Sequence, residues 1–332
     1  MRIIGYMASA ALRLVSMGYR HYRSIPINIR IARTENPCVD SSILSLATKI
    51  RAGVLRNPRV CFQIRLPIVD WMLRVTSSPD LERRFGGIER LYGAGALARV
   101  TAAHVTVVGI GGVGSWAAEA LARSGIGRLT LIDLDHVAES NVNRQIHALE
   151  SSFGAAKVVA MKERIAAINP ACAVATVEEF IDDANVATLI PPCDAVIDAI
   201  DQVRAKAALI AYCRRAGIRI VTTGGAGGRM DPTQIEVIDL ARTTQDALAS
   251  KVRARLRKEF GYTRDPKQKF GVDCVFSPEQ IRRPASADSC SPGEEFDAAA
   301  GLACAGYGSS VAVTASFGFA AAARVLAGIL AP

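Results

Sequence analysis

The eight cysteines of this 332-residue chain include no CxxC pair. Such pairs are the usual ligands of a zinc ribbon, so their absence excludes that site. Cys290, in a polar stretch, is the thiol that we expect to be most exposed, and no neighbouring base marks it as a nucleophile. Scattered, unpaired cysteines suit a reducing compartment, so we expect a cytoplasmic protein.

Outside residues 1–71 the chain has little excess charge of either sign. The formal net charge is +9, but residues 1–71 alone hold eleven Lys or Arg against three acidic residues, a net of +8. The high isoelectric point therefore belongs to this segment, and the total charge is no argument for nucleic-acid binding by the rest. Such an argument needs a local cluster of cations.

A glycine-rich turn is the strongest feature that the chain does have. The β-rich run Val105–Val108 is followed from Gly109 by the sequence GIGGVGS. A strand that ends in such a turn and opens a helix brings backbone N–H groups and the positive helix end against phosphates. By itself, a GxGxxG pattern suits a dinucleotide-binding dehydrogenase equally well.

The residues after the turn favour a triphosphate. Asp133 closes a second apolar run, where a carboxylate can accept hydrogen bonds from ribose hydroxyls. Arg144 and Lys157 follow, and a planar guanidinium with a point-charge ammonium is suited to hold phosphates. Amide side chains accompany them at Asn141, Asn143 and Gln145. A dehydrogenase has no need of these cations, although a solvated surface position is the simpler alternative for Arg144 taken alone.

Four motifs follow one another along the chain: GIGGVGS, IDLDHV, SNVNRQ and GAAKV. In this order they resemble the motifs of the ThiF-like adenylating enzymes, which are related to ubiquitin-activating enzymes. RFGGIERLYG, KFGVDCVFSPEQ and GYGSSVAVTASFGF are similar to one branch, the tRNA threonylcarbamoyladenosine dehydratases. Activators of sulfur-carrier proteins commonly contain two CxxC pairs, so the lack of them favours the dehydratase branch. The resemblance covers residues 81–330.

The resemblance implies a role for each matching residue. The ATP phosphates would be lined by Gly109, Gly111, Gly112 and Gly114. Asp133 would bind ribose. Phosphate and transition-state contacts would come from Asn141, Arg144 and Lys157.

Asp201 follows the apolar run 195–200 and matches the magnesium-associated aspartate of the family. Carboxylate oxygens suit such a hard cation. The family often has Asn at the next position, whereas this chain has Gln202. Helix capping near Val203 is the alternative use of Asp198 and Asp201, and we favour the metal role only for Asp201.

The reaction implied by the resemblance is ATP-dependent dehydration of threonylcarbamoyladenosine in tRNA. Adenylation of the threonyl carboxylate would be followed by ring closure within the same side group, which needs no enzyme cysteine. A homodimer is also implied, with Arg84 or Arg90 reaching the partner's ATP, and a sulfur-relay partner such as a cysteine desulfurase system stays possible. The alternatives are an adenylating activator of a ubiquitin-like sulfur-carrier protein, an NAD-dependent oxidoreductase and a non-catalytic scaffold.

Short β-rich runs alternate with helical segments from Arg99 onwards. We predict strands at 105–108, 129–133, 174–178, 195–199, 218–223 and 235–239, and helices at 115–124, 157–168 and 203–216. This alternation predicts an α/β fold with a doubly wound, mostly parallel, Rossmann-like sheet. Ligands gather at the carboxyl ends of such strands, where Gly109, Asp133 and Asp201 fall. We expect one adenylating domain over 72–330, with an ATP-binding part over 81–223 and an acceptor-site part over 224–330.

Eight cations between Lys251 and Lys269 face only two acidic residues. They could grip an RNA backbone. The simpler interpretation is an amphipathic surface helix with Leu248, Val252 and Leu256 inward, and both can hold together. We expect the polar segment 265–297 to be a mobile crossover loop over the acceptor site, or plainly disordered.

Residues 301–323 contain no charged side chain and approach the length of a membrane span. Their small residues favour a buried helix at a subunit interface, and membrane attachment is the minority interpretation. Met1–Met17 is apolar but broken by Arg13, which leaves a targeting segment conceivable. An exported enzyme would lack ATP. Because Met72 lies just before the recognisable domain, we expect residues 1–71 to be a poorly ordered extension or an upstream misread of the start codon.

Overall fold

The structure, a computed structural model, describes residues 79–282 and 307–331. The predicted basic extension over 1–71 lies outside the described residues. So do the following cysteines: Cys38, Cys61, Cys290 and Cys304.

A seven-stranded sheet forms the centre of the described part. Its strands are β1 (His104–Val108), β2 (Arg128–Ile132), β3 (Ala173–Val177), β4 (Ala195–Asp198), β5 (Arg219–Thr223), β6 (Glu236–Asp239) and β7 (Asp273–Phe276). The order across the sheet is β3-β2-β1-β4-β5-β7-β6. All neighbours are parallel except β6 and β7, which pair antiparallel. The predicted doubly wound, mostly parallel sheet is confirmed.

Helices cover both faces of this sheet. In the described part they are α1 (Leu81–Tyr92), α2 (Ala96–Ala102), α3 (Gly114–Arg123), α4 (Lys157–Ile168), α5 (Val186–Leu189), α6 (Val203–Ala216), α7 (Ala247–Glu259) and α8 (Val311–Leu330). Two of the three predicted helices, α4 and α6, have the predicted bounds. The helix α6 ends where Gly217 takes a left-handed conformation with φ of 70°, which a residue with a Cβ adopts only at a cost.

Alternate residues of the central strands enter two separate cores. Val105 and Val107 pack with the side chains of α3, α4 and α8, whereas Val108 packs with those of α6 and α7. Side chains of a strand point to opposite faces in turn, and here both faces are covered. Burial on both faces explains why these strands are continuous apolar runs rather than alternating ones.

The apolar C-terminal segment is a helix, but it begins at Val311 rather than at Gly301, since Ser310 caps it. Its buried side packs on α3 of the same chain. A Cβ at Gly318 would lie 2.5 Å from the Val113 carbonyl oxygen, so this close crossing needs glycine. The small residues are explained by that crossing, and an interface between subunits is not needed to explain them.

The helix α8 is also long and apolar enough to cross a membrane. More than half of its apolar stretch is buried within the protein. Arg324, inside the helix, pairs with Asp273 of β7 at 2.6 Å. This pairing ties α8 to the sheet.

The prediction of a mobile loop over 265–297 is wrong for residues 273–276, which form β7 between β5 and β6. Cys274, Val275 and Phe276 are buried there. The sequence around Cys274 is compatible with a strand, but it is only four residues long and has polar flanks, so the composition of the whole segment favoured a loop. Residues 283–297 of that segment lie outside the described residues.

Candidate active site

The turns that follow β1 and β4 meet at the carboxyl edge of the sheet. Gly109 has a φ of +84°, and a Cβ on it would lie 2.8 Å from the Ala199 carbonyl oxygen. The two strands are neighbours, and the chain leaves β1 for β2 on the other side. Such a reversal of strand order is where an open α/β sheet has its ligand crevice. The crevice therefore lies between the glycine turn and the segment 199–201.

The glycine turn has the shape of a phosphate cradle. A Cβ at Gly114 would lie 1.8 Å from the Gly109 carbonyl oxygen, so the helix start can fold onto the turn only without a side chain. A Cβ at Gly111 would meet no heavy atom within 4 Å. The N-cap of α3 is Val113, whose side chain cannot cap, so first-turn N–H groups remain available to an anion. These observations fit the predicted phosphate contacts.

Asp133 joins the end of β2 to the glycine turn. Its Oδ2 accepts a hydrogen bond of 2.5 Å from the Ile110 N–H, and its Oδ1 accepts one of 2.8 Å from the Asp135 N–H. Burial raises the pKa of the Asp133 carboxyl, and the nearby Lys157 ammonium opposes that rise. A carboxylate has about four lone-pair sites, so Asp133 can still accept from a ribose hydroxyl.

Arg144 lies across the glycine turn. A Cβ at Gly112 would lie 3.2 Å from its Cγ, so the arginine stem covers that glycine. The guanidinium donates to the Ser140 carbonyl at 2.7 Å and to Asn143 Oδ1 at 2.9 Å. The Trp116 indole N–H donates to the Arg144 carbonyl at 2.9 Å. The surface alternative for this arginine is therefore disfavoured, because its side chain is held at the crevice.

Lys157 is the first residue of α4, and its ammonium is buried. Nζ lies 2.6 Å from Asp135 Oδ2, and the Lys157 N–H donates to the Asp135 carbonyl at 3.0 Å. Sequence reasoning did not assign Asp135 a role. The signal in the sequence is that Asp135 belongs to the same motif, IDLDHV, as Asp133.

Asn141 is buried and supports the chain rather than facing outward. Its Oδ1 accepts from the Ala138 N–H at 3.1 Å, which closes the short turn that leads to Arg144. The expected contact of Asn141 with phosphate stays a prediction.

Asp198 and Asp201 lie in different environments. The N-cap of α6 is Gln202, and Asp198 is fully buried at the end of β4, so the capping alternative is wrong for Asp198. Its Oδ2 lies 2.9 Å from Lys206 Nζ and accepts from Thr222 Oγ1 at 2.6 Å. Sequence reasoning missed this pair.

Asp201 is exposed at the carboxyl edge, beyond β4. Over residues 79–282 and 307–331, no three or more His, Cys, Asp or Glu side chains form a group that could hold a metal ion. A magnesium ion commonly takes one or two carboxylates together with substrate phosphates and water. A single carboxylate here is compatible with that arrangement.

The segment before α8 borders the crevice on its other side. The Asn143 side-chain amide donates to the Ser309 carbonyl at 3.1 Å, and the Gly228 N–H donates to the Gly308 carbonyl at 2.8 Å. The same loop over 224–228 is held by buried Arg229, which donates to the Gly225 carbonyl at 2.8 Å. Residues 307–310 thus connect the Arg144 segment with the glycine loop after β5, and no local pattern predicted these contacts.

The amino-acid sequence also matches a known protein family. The ThiF family model matches residues 86–330, most of the chain. This chain belongs to the ThiF family.

Among the relatives of this ThiF family protein are dehydratases that it matches over nearly their whole length. The tRNA threonylcarbamoyladenosine dehydratase of Escherichia coli K12 is 53% identical over 262 residues, which is 78% of this chain and 98% of that protein. The molybdopterin-synthase adenylyltransferase of the same organism is 38% identical over 128 residues, 39% of this chain and 51% of that protein. The similarity to the dehydratase is both stronger and more extensive.

A solved structure extends the agreement to three dimensions. The crystal structure of E. coli tRNA N6-threonylcarbamoyladenosine dehydratase in complex with ATP has a TM-score of 0.69 with this ThiF family protein. It is 52% identical, and the match covers 76% of this chain and 96% of that one. A further crystal structure of that enzyme is in complex with AMP. These matches support the adenylating interpretation over the NAD-dependent one.

Proposed function

We propose that this ThiF family protein uses ATP to dehydrate threonylcarbamoyladenosine in tRNA to its cyclic form. The observation that carries the proposal is the crevice at the carboxyl ends of β1, β2 and β4. There Asp133 accepts a hydrogen bond from the glycine turn, Arg144 lies against the same turn, and Lys157 pairs with Asp135, two residues beyond Asp133. The similarity to dehydratases along most of the chain identifies the acceptor.

A free carboxylate is a poor electrophile because oxide would have to leave. With ATP, a carboxylate oxygen attacks the α-phosphorus, the bond to the β-phosphate oxygen breaks and pyrophosphate leaves. A nucleophile of the same side group then attacks the carboxyl carbon, loses its proton and releases AMP as a five-membered ring closes. The nucleoside has lost one water. Because the nucleophile is tethered, its high effective concentration replaces an enzyme nucleophile.

The protein positions ATP and stabilises the charge that develops during the reaction. The N–H groups of the glycine turn and of α3 bind phosphate oxygens, and Asp133 orients the ribose. Arg144 and Lys157 stabilise the charge that develops on the phosphates, in a crevice where Lys157 is already desolvated. Asn141 holds the turn that presents Arg144, and its predicted phosphate contact is part of the proposal.

A magnesium ion belongs to the proposal as well. Asp201 would supply one carboxylate oxygen at the mouth of the crevice, with phosphate oxygens completing the coordination. The exposure of Asp201 at the carboxyl edge supports this assignment. Gln202 stands where the family often has Asn, and it carries the same amide oxygen on a side chain that is longer by one methylene.

A homodimer, a sulfur-relay partner and a cytoplasmic location are proposals of the same kind. In a dimer, an arginine of α1 would reach the partner's ATP. The Arg84 guanidinium donates to the Ile168 carbonyl of its own chain at 2.7 Å, at the end of α4. Arg90, exposed on the same helix, is therefore the arginine that we propose for this role.

The test is direct. The protein is incubated with ATP, magnesium and tRNA that carries threonylcarbamoyladenosine. The tRNA is then digested to nucleosides, and their masses are measured by mass spectrometry. We expect a nucleoside lighter by one water, with AMP and pyrophosphate formed in step. Unchanged tRNA together with ATP–pyrophosphate exchange that depends on a sulfur-carrier protein would replace the proposal by the carrier-activating alternative.

A further inference from the structure

A second pocket lies at the opposite end of the sheet from the crevice. Its volume is about 330 Å³, and it is lined mainly by Arg214, Arg215, Phe260, Tyr262 and Phe270. Arg214 and Arg215 close the helix α6, which ends just before the amino end of β5. The pocket is therefore separated from the crevice by the length of the strands. Nothing in the proposed reaction uses it.

The pocket contains a fixed hydrogen-bond donor. The Tyr262 ring packs edge-on against Phe270 with 4.9 Å between ring centroids. The Arg257 guanidinium lies 5.3 Å from the Phe270 centroid and donates to the Thr263 carbonyl at 3.1 Å. The Tyr262 hydroxyl oxygen is buried and has no hydrogen-bond partner within the described ranges. A buried polar group of this kind is costly unless something pairs with it.

Two arginines line the same pocket as Tyr262. Arg214 and Arg215 are both exposed, and neither forms an ion pair with another described residue. A Cβ at Gly271 would lie 2.8 Å from the Arg214 Nη2, so this guanidinium lies over the turn next to Phe270. Both arginines act on the titration of Tyr262, lowering its pKa against the rise that burial causes. The two arginines and the Tyr262 side chain thus line one small volume.

The surroundings add positive charge. The loop 262–270 closes on itself through the Tyr262–Phe270 contact. It exposes Arg264, Lys267 and Lys269. Two acidic side chains lie nearby: Glu259 pairs with Arg255 at 2.6 Å, and Asp265 Oδ1 accepts a hydrogen bond of 2.9 Å from the Lys267 backbone N–H, so the exposed cations outnumber the unpaired acid. A ligand at this site meets cations on several sides.

We propose that this pocket and its cationic loop bind the sugar–phosphate backbone of the tRNA substrate, away from the modified nucleoside. Phosphate oxygens match two guanidinium forks and a hydroxyl donor, and Phe260 offers an apolar edge for a sugar or base. This site is distinct from the crevice, but it rests on the proposed function in taking tRNA as the partner. It also gives the predicted cation cluster over 251–269 a specific location.

The helix α7 connects the two sites. At its start, Asp246 Oδ2 accepts a hydrogen bond of 3.0 Å from the Gly225 N–H on the acceptor side of the crevice. At its end, Phe260 lines the pocket. Thirteen helical residues span about 20 Å. Lys251 and Lys258 are exposed along that path, so a tRNA arm with its nucleoside in the crevice passes over cations on its way to the pocket.

The test compares two charge reversals on opposite faces of the sheet. Arg215→Glu changes the pocket, and Lys162→Glu changes an exposed cation of α4. Binding of full-length tRNA is measured by fluorescence anisotropy at several salt concentrations. We expect Arg215→Glu to weaken binding on the order of tenfold and to flatten the salt dependence. Lys162→Glu should stay within about twofold of wild type, since that residue lies on the other face.

Steady-state kinetics and a second variant with a smaller chemical change complete the test. Arg215→Glu should raise the KM for tRNA while leaving kcat and ATP affinity unchanged. Tyr262→Phe, which removes only the hydroxyl, should weaken tRNA binding by roughly threefold, about one neutral hydrogen bond. Equal tRNA affinity of Arg215→Glu and wild type at every salt concentration would overturn the inference. A different outcome separates the two proposals. If wild type binds tRNA but forms no cyclic nucleoside, and Arg215→Glu loses tRNA binding, the proposed reaction is overturned and the RNA site is kept.

Discussion

The buried ammonium of Lys157 lies 2.6 Å from the carboxylate of Asp135, which is itself half exposed. The lysine is thus held at the crevice by a partner that water can reach. An incoming phosphate can take the place of that partner with little rearrangement, since the ammonium is already desolvated and oriented. Asp135 also accepts the Lys157 N–H through its own carbonyl, so the pair fixes the start of α4.

Replacing Lys157 by alanine should slow AMP formation by about 100-fold or more, because one preorganised charge on the phosphates is lost. Rapid-quench measurement of AMP with modified tRNA and saturating ATP gives the rate. Lys162→Ala, on the exposed side of the same helix, is the control and should leave the rate unchanged. An unimpaired Lys157→Ala enzyme would remove this lysine from the proposed chemistry.

Two glycine-to-alanine changes separate backbone strain from steric overlap at the crevice. Gly109 and Gly154 both have positive φ, +84° and +81°, but a Cβ added at Gly109 would lie 2.8 Å from the Ala199 carbonyl oxygen, whereas one at Gly154 would meet no heavy atom within 4 Å. Gly154→Ala should lower the free energy of unfolding by about 1–2 kcal/mol through strain alone. Gly109→Ala should lower it further and weaken ATP binding, because the turns after β1 and β4 must move apart. Urea unfolding and calorimetric titration with ATP measure both effects, and equal behaviour of the two variants would contradict the close contact.

The buried pair Asp198–Lys206 should matter for stability far more than an exposed pair on the same helix. Lys206→Met leaves the Asp198 carboxylate, fully buried, without its cation, and should lower the free energy of unfolding by about 3–5 kcal/mol. Arg204→Met breaks the exposed pair with Asp183 and should lower the free energy of unfolding far less, because water screens this pair. Chemical denaturation of both variants checks the difference. Adding Asp198→Asn to Lys206→Met should recover part of the loss, since the uncompensated charge is then removed.

His147 should make the protein less stable in mild acid. Burial, followed by the nearby Lys157 and Arg164 charges, lowers the pKa of His147 from 6.5 to about 4. The unfolded chain therefore takes up this proton first as the pH falls below 6.5, whereas the folded chain takes it up only near pH 4. The contribution of the neutral ring to stability is complete above pH 6.5 and is lost between pH 6.5 and 4, by about 3 kcal/mol.

The measurement is the free energy of unfolding as a function of pH. His147→Gln should show a flatter decline than wild type between pH 6.5 and 4. His136→Gln, at a solvent-exposed ring, should decline as wild type does. Parallel curves for wild type and His147→Gln would show that the buried histidine is not the group that titrates.

Much of the central fold was readable in the sequence because its signals are local. The helix over 157–168 and the strands around 105–108 and 129–133 show their period and their stops within a few residues. Parallel strands place their carboxyl ends at one edge, so Gly109, Asp133 and Asp201 were expected to converge before any contact was known. The structure brings the first two of these into one hydrogen-bonded unit through the Ile110 N–H.

The place of β7 in the sheet and the burial of Asp198 were not readable in that way. β7 is four residues long, and it belongs in the sheet because β5 and β6 pair with it on either side. Asp198 looks like a helix cap in the sequence because Val203 follows it closely. Its true partner, Lys206, is the fourth residue of α6, and only the packing of that helix on the sheet excludes water from both groups.

By itself, the sequence determined the family, the order of the motifs and the edge of the sheet at which they act, since each depends on residues close together in the chain. The tertiary structure alone decided which groups touch. It paired Lys157 with Asp135 and brought Arg215 to Tyr262 in a pocket far from the crevice. Such contacts join elements that are distant in sequence, and their distances follow from how helices pack on the sheet, which no local pattern encodes.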